Sequence, residues 1–157
     1  MNAKTFALVG LFIVIVIVLL FRCSTAKSAE FDLRGGASFG PGRTGPVLGL
    51  QIYEPIGNQV DVFAGTIIWG KTSVAATTWD WHAGFRTCRW SVCASLGASY
   101  LQNVDAVNGA HTNYYLGLSY VFGWSRIRSI DYVHLSDLGT TPVNKGRNAA
   151  LVSVRLQ

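Results

Sequence analysis

Trp90-Ser91-Val92-Cys93-Ala94-Ser95-Leu96-Gly97-Ala98-Ser99-Tyr100 is the stretch that decides the fold. Its apolar members fall on every second position, from Trp90 through Val92, Ala94, Leu96 and Ala98 to Tyr100. Ser91, Cys93, Ser95, Gly97 and Ser99 fill the gaps. Successive side chains of a strand point to opposite faces, so this is a strand with one apolar face and one small, polar face. The flanking segments repeat the pattern. Trp79, Trp81, Ala83 and Phe85 alternate with Asp80, His82, Gly84 and Arg86; Tyr114, Leu116, Leu118 and Tyr120 alternate with Asn113, Tyr115, Gly117 and Ser119. The last segment has Ala150, Val152, Val154 and Leu156 on one face.

Working outward, the same period marks eight segments: 30–39, 44–53, 59–69, 77–87, 90–101, 111–122, 124–135 and 147–157. The connectors alternate in character. Glu54 to Asn58, the hairpin after Cys88 and the turn at Gly123 are tight, whereas Gln102 to Ala110 and Asp137 to Gly146 are long and rich in Gly, Asn, Thr and Pro. The composition agrees with an all-β chain: 17 Gly, 8 Phe, 6 Tyr and 5 Trp among 157 residues, with 50% apolar and only 13% charged. An average soluble domain is about 25% charged, so an ordinary cytosolic globule and a disordered chain are both disfavoured. The net charge of +5 is not a nucleic-acid signature, because Lys4, Arg22 and Lys27 supply three of the positive charges and the rest are scattered.

Lys4, the unbroken apolar run Phe6 to Phe21, and the small polar stretch Ser24 to Ala29 have the three parts of a secretory signal. Residues 1–28 are therefore expected to be a signal peptide, cleaved before Lys27 or before Ala29, with an uncleaved anchor as the alternative. Residues 29–157 form the exported domain. Export also bears on Cys88 and Cys93, which flank four residues on two sides of a short hairpin. In an oxidising compartment they could pair; two free thiols are the other reading. Their spacing is not that of a zinc site, and no metal is expected.

An exported eight-stranded meander is either a soluble calyx or a membrane barrel. In a calyx the bulky side chains point inward. Here the face opposite the apolar one is Ser, Gly, Cys and Asn, so the large residues must face out, into lipid. The expected fold is an eight-stranded antiparallel up-and-down transmembrane β-barrel in the outer membrane of a Gram-negative bacterium. The terminal Gln157 departs from the aromatic residue common at the end of such barrels.

Chemistry is concentrated in the last hairpin, His134-Leu135-Ser136-Asp137-Leu138-Gly139-Thr140-Thr141-Pro142-Val143-Asn144-Lys145-Gly146-Arg147-Asn148. This stretch resembles the PagL-type lipid A 3-O-deacylases, outer-membrane esterases built as eight-stranded barrels. Their pattern is H-x-S-N-x-G, then a loop with Pro, Asn and Gly, then Glu two residues after that Gly. His134, Ser136, Gly139, Pro142, Asn144 and Gly146 match in order. The resemblance covers about 15 residues of motif and otherwise only barrel layout and length. It implies a serine esterase that removes an ester-linked hydroxyacyl chain from the lipid A of lipopolysaccharide without a cofactor.

His134 and Ser136 lie two apart on a strand and so share a face. The register that turns Ile130 and Tyr132 outward also turns them toward lipid, where a polar pair is costly unless it acts there. His134 as general base can take the proton of Ser136, whose oxygen then attacks the ester carbonyl. The resemblance gives the turn at Asp137 to Gly139 the role of oxyanion hole. Two positions depart from the pattern. Asp137 stands where the family has Asn, and Asn148 stands where it has the acidic member. Asn148 can orient the imidazole through its carbonyl oxygen but brings no charge to an imidazolium.

The competing class is a non-catalytic barrel, either a degenerate deacylase or a structural surface protein; a lipid-binding or acyl-transferring barrel is a third. Asp80 and His82 fall on the inward face as a polar lumen pair, His111 falls at a loop edge, and Arg43, Lys71 and Lys145 lie in or beside the outward loops, where they could meet lipid phosphates.

Overall fold

The computed structural model describes residues 29–40, 43–56, 58–105, 107–123, 126–137 and 146–156. The leader assigned to 1–28, Gly139, Pro142, Asn144, Lys145 and Gln157 lie outside them. Eight strands run β1 (Glu30–Phe39), β2 (Gly45–Pro55), β3 (Val60–Trp69), β4 (Thr78–Arg89), β5 (Val92–Leu101), β6 (Thr112–Val121), β7 (Ile127–Ser136) and β8 (Arg147–Leu156). Each pairs antiparallel with its neighbours in sequence, and β8 returns to pair with β1, closing the barrel. This is the expected up-and-down architecture. Connections 40–44, 70–77, 102–111 and 137–146 share one end of the barrel, and the shorter 56–59, 90–91 and 122–126 share the other.

The alternation read from the sequence is realised as inside and outside. Trp81, Phe85, Leu96, Leu118, Ile130 and Val152 are exposed on the outer wall, each with more than two-fifths of its surface accessible. Asp32, Arg34, Asp80, His82, Arg86 and Asp131 are buried within. A water-soluble domain exposes charged side chains; this barrel buries most of its charges and exposes a row of large apolar ones, as a wall facing hydrocarbon requires.

The interior carries more bulk than the alternation in β5 suggests. Tyr53, Phe63, Trp69 and Tyr115 fill it alongside the charges. The sequence hides this because β3 has apolar residues on both faces and lacks a clean period. Buried charges need partners, and these have them. Arg34 donates to Tyr115 Oη at 3.0 Å and to Gln51, and lies 3.4 Å from Asp131. Asp131 also accepts from Ser153. Arg86 grips Asp61 through Nε and Nη2, at 2.9 and 2.6 Å, with its guanidinium over the Tyr53 ring. His82 Nδ1 lies 2.5 Å from Asp80 Oδ1, Trp69 Nε1 donates to Asp80 Oδ2, and the imidazole stacks on Tyr115.

Two local features differ from the sequence expectation. Trp90, read as the start of the fifth strand, sits instead in the two-residue turn between β4 and β5 with φ of 57°. Cys88 and Cys93 then face each other across that hairpin and are joined as a disulfide. The second feature is an irregularity between Ile127 and Ser129 that shifts the β7–β8 register by one residue. Both Arg128 and Ser129 consequently point inward, and from Ile130 to Leu135 the strand alternates regularly.

Candidate functional site

The outer face of β7 presents Ile130, Tyr132 and His134 in turn, with Ser136 next in the alternation at the strand end. His134 is opposite Asn148 of β8 in the antiparallel register, and Ser136 is opposite Tyr114 of β6. Asn148 in turn faces Phe39 of β1. The hairpin thus brings together His134 and Asn148, fourteen positions apart in the chain, on a wall that is mostly apolar.

Their contact is a hydrogen bond of 2.8 Å between His134 Nδ1 and Asn148 Oδ1. The amide oxygen can only accept, so Nδ1 carries the proton and donates. In the neutral ring Nε2 then holds a lone pair, which is the state a general base needs. Tyr132 Oη donates to the same Oδ1 at 2.7 Å. Asn148 Oδ1 therefore receives two donors from β7, one from each of two successive outward residues.

Gly146 fixes the imidazole from the side. Its φ of +61° is the left-handed conformation that glycine adopts without strain. A β-carbon here would also fall 2.6 Å from His134 Cε1 and 2.9 Å from the Leu135 carbonyl oxygen. Arg43, in the connection after β1, donates from Nη1 to the Gly146 carbonyl at 3.0 Å. That bond ties the β1–β2 loop to the start of β8. Ser136 keeps only 8% of its surface accessible although it ends the outward row, and Asp137 beside it is buried. Gly139, the other residue of the turn, is outside the described residues.

Asp131 has no place in this site. It lies inside the barrel against Arg34 and Ser153, on the other side of the wall from His134. Asp80 and His82 likewise belong to the lumen, and His111 is at the surface with its Nδ1 on the Leu101 carbonyl and its ring stacked on Tyr100. Among the described residues no group of three or more His, Cys, Asp and Glu is arranged to hold a metal ion. Sequence reasoning missed Tyr132, which it took as a lipid-facing aromatic alone. The available signal was its spacing, since 132, 134 and 136 share one face of one strand.

Among solved structures, the chain is similar to the crystal structure of the outer membrane enzyme PagL, with a TM-score of 0.64 and 14% sequence identity. The match covers 83% of this chain and 99% of that one. At this identity the likeness is one of fold: both are barrels of the same layout. No protein-family profile and no curated protein sequence matches the chain.

Proposed function

We propose that this barrel resides in the outer membrane of a Gram-negative bacterium and is a serine esterase that removes an ester-linked 3-O-hydroxyacyl chain from lipid A. The observation that carries the reading is the His134–Asn148 hydrogen bond on the apolar outer wall, with Ser136 two residues along the same face. A polar dyad on that apolar wall, at the loop end of β7, is where an enzyme acting on a membrane lipid needs its chemistry. The fold shared with an outer membrane enzyme and the exposed apolar wall support the location.

In the proposed reaction His134 Nε2 takes the Ser136 hydroxyl proton as Oγ attacks the ester carbonyl carbon. Backbone N–H groups of the turn after Ser136 receive the oxyanion. The tetrahedral intermediate collapses by breaking the bond to the sugar oxygen, which leaves with the proton held on His134. Water then attacks the acyl-Ser136 ester with His134 again as base, releasing the hydroxy fatty acid and restoring the serine. Asn148 keeps the imidazole in the Nδ1–H form throughout. Being neutral, it offers the imidazolium only a dipole, so turnover is expected to be slow.

The test is mass spectrometry of lipid A from Gram-negative outer membranes carrying the wild-type chain or Ser136→Ala. Loss of one hydroxyacyl mass with the wild type alone supports the esterase. Identical spectra from two inserted barrels sink it. The second reading, a barrel that has lost its catalysis, is favoured by one observation: an amide occupies the position of the acid. That reading expects the lipid to be unchanged in both strains.

A further inference from the structure

We infer that Tyr132 is a positioning residue that fixes which end of the Asn148 amide faces His134, and through it which nitrogen of His134 carries the proton. The inference rests on the esterase reading for its catalytic consequence, but the proton placement stands on the geometry. A carboxylate in place of Asn148 would accept from Nδ1–H whichever way it turned. An amide has two unlike ends of nearly equal size, Oδ1 accepting and Nδ2 donating. With Oδ1 toward His134, the ring is protonated at Nδ1 and its Nε2 is a base. Rotated by half a turn, the amide would donate to Nδ1, move the ring proton to Nε2, and leave no lone pair for the Ser136 proton.

Tyr132 breaks that symmetry. Its hydroxyl lies 2.7 Å from Oδ1, the same atom that receives His134 Nδ1 at 2.8 Å. A phenol is a better donor than acceptor, because its oxygen lone pair is delocalised into the ring, so it favours the amide oxygen over the amide nitrogen. The surroundings sharpen this preference, since a wall of apolar side chains offers few competing partners. The phenol is itself held: the Phe39 ring of β1 packs 6.0 Å from the Tyr132 ring, centroid to centroid. Phe39 is also the residue in register with Asn148, so the amide sits between β7 and a side chain that steadies its hydroxyl partner.

The experiment uses the full barrel, inserted in lipid nanodiscs with ¹⁵N-labelled histidine, as wild type and Tyr132→Phe. The His134 signals are assigned with His134→Gln. At a pH where the ring is neutral, the wild type is expected in the Nδ1–H form. Losing one hydrogen bond to a neutral group is expected to shift the tautomer ratio about three- to tenfold toward Nε2–H. Deacylation by Tyr132→Phe should fall in kcat by the fraction of the Nδ1–H population that the same spectra show to be lost, with KM unchanged. In an Asn148→Glu background the same change should alter kcat by less than about twofold, because a carboxylate accepts in either orientation.

An unchanged tautomer ratio, or a kcat loss larger in the Asn148→Glu background than with Asn148 in place, overturns the role of Tyr132. A tautomer shift in barrels that never deacylate lipid A supports the role and overturns the esterase reading instead.

Discussion

Gly146 touches His134 across the β7–β8 pair so closely that a β-carbon on it would lie 2.6 Å from the imidazole Cε1. The glycine is held twice, by its positive φ and by this contact. Gly146→Ala is therefore expected to displace the ring rather than unfold the barrel. Deacylation should drop at least about tenfold, on the scale by which an ångström of misplacement slows positioned chemistry. Heat-modifiable migration on gels should still report a closed barrel. An alanine variant with wild-type rates would mean that the ring position has no bearing on turnover.

Asn148→Glu places a charge where the chain has a dipole. In a serine protease, replacing the corresponding Asp by Asn costs about 10⁴ in turnover. The reverse change here should raise the rate by about a hundredfold or more, with Tyr132 Oη donating to the new carboxylate. The initial rate of hydroxy fatty acid release from purified lipopolysaccharide is the readout. No gain from a folded variant would point to a site that has lost more than its acid.

Arg34 and Asp131 test the interior separately from the chemistry. Arg34→Met leaves Asp131 buried without its guanidinium, which should cost about 3–5 kcal/mol. Urea unfolding in detergent should show the lowered midpoint. The fraction that remains folded should deacylate at the wild-type rate, since the pair lies on the other side of the wall. A change in kcat with unchanged stability would contradict this partition.

The outer wall makes its own prediction. Leu96, mid-strand on β5 and 59% exposed, should tolerate Arg poorly in a bilayer, at about 2–4 kcal/mol near the midplane. Refolding equilibria in lipid vesicles give this number directly. A neutral Leu96→Arg would argue that this face meets water.

The disulfide should matter little to the site. Cys88 and Cys93 close a loop only five positions long, at the barrel end opposite the 137–146 connection. Chain-entropy reasoning gives such a loop about 2 kcal/mol. Cys88→Ser with Cys93→Ser should lower the unfolding midpoint modestly and leave kcat unchanged.

Most of the wall was legible in the sequence because a period of two survives burial. Leu96, Leu118 and Val152 need only their parity to be placed outside, and His134 follows by the same count; Ser136 continues it but is buried at the strand end. The interior was less legible. Arg34, Tyr53 and Trp69 converge from strands far apart in sequence, and no local pattern announces that they fill one space. Within the site, parity placed Asn148 beside His134, but not the second donor on its oxygen. Tyr132 reads as one more aromatic on a lipid-facing strand until the hydroxyl is seen to end on Oδ1. Gly146 matched as a letter in a loop pattern; its contact with His134 depends on the register of the whole hairpin.

The ladder between β1 and β8 joins the two ends of the sheet, the most distant partners in the chain. It is also the seam against which the site is braced: Phe39 comes from one side of it, and Arg43 reaches over it to Gly146. A newly delivered chain with that seam still open has its base and its serine on one strand but neither brace in place. On the proposed esterase reading, completion of the wall would thus act as the activating step. Copies stalled during insertion would be unarmed, so that cleavage of the surrounding lipid begins only where a finished barrel stands.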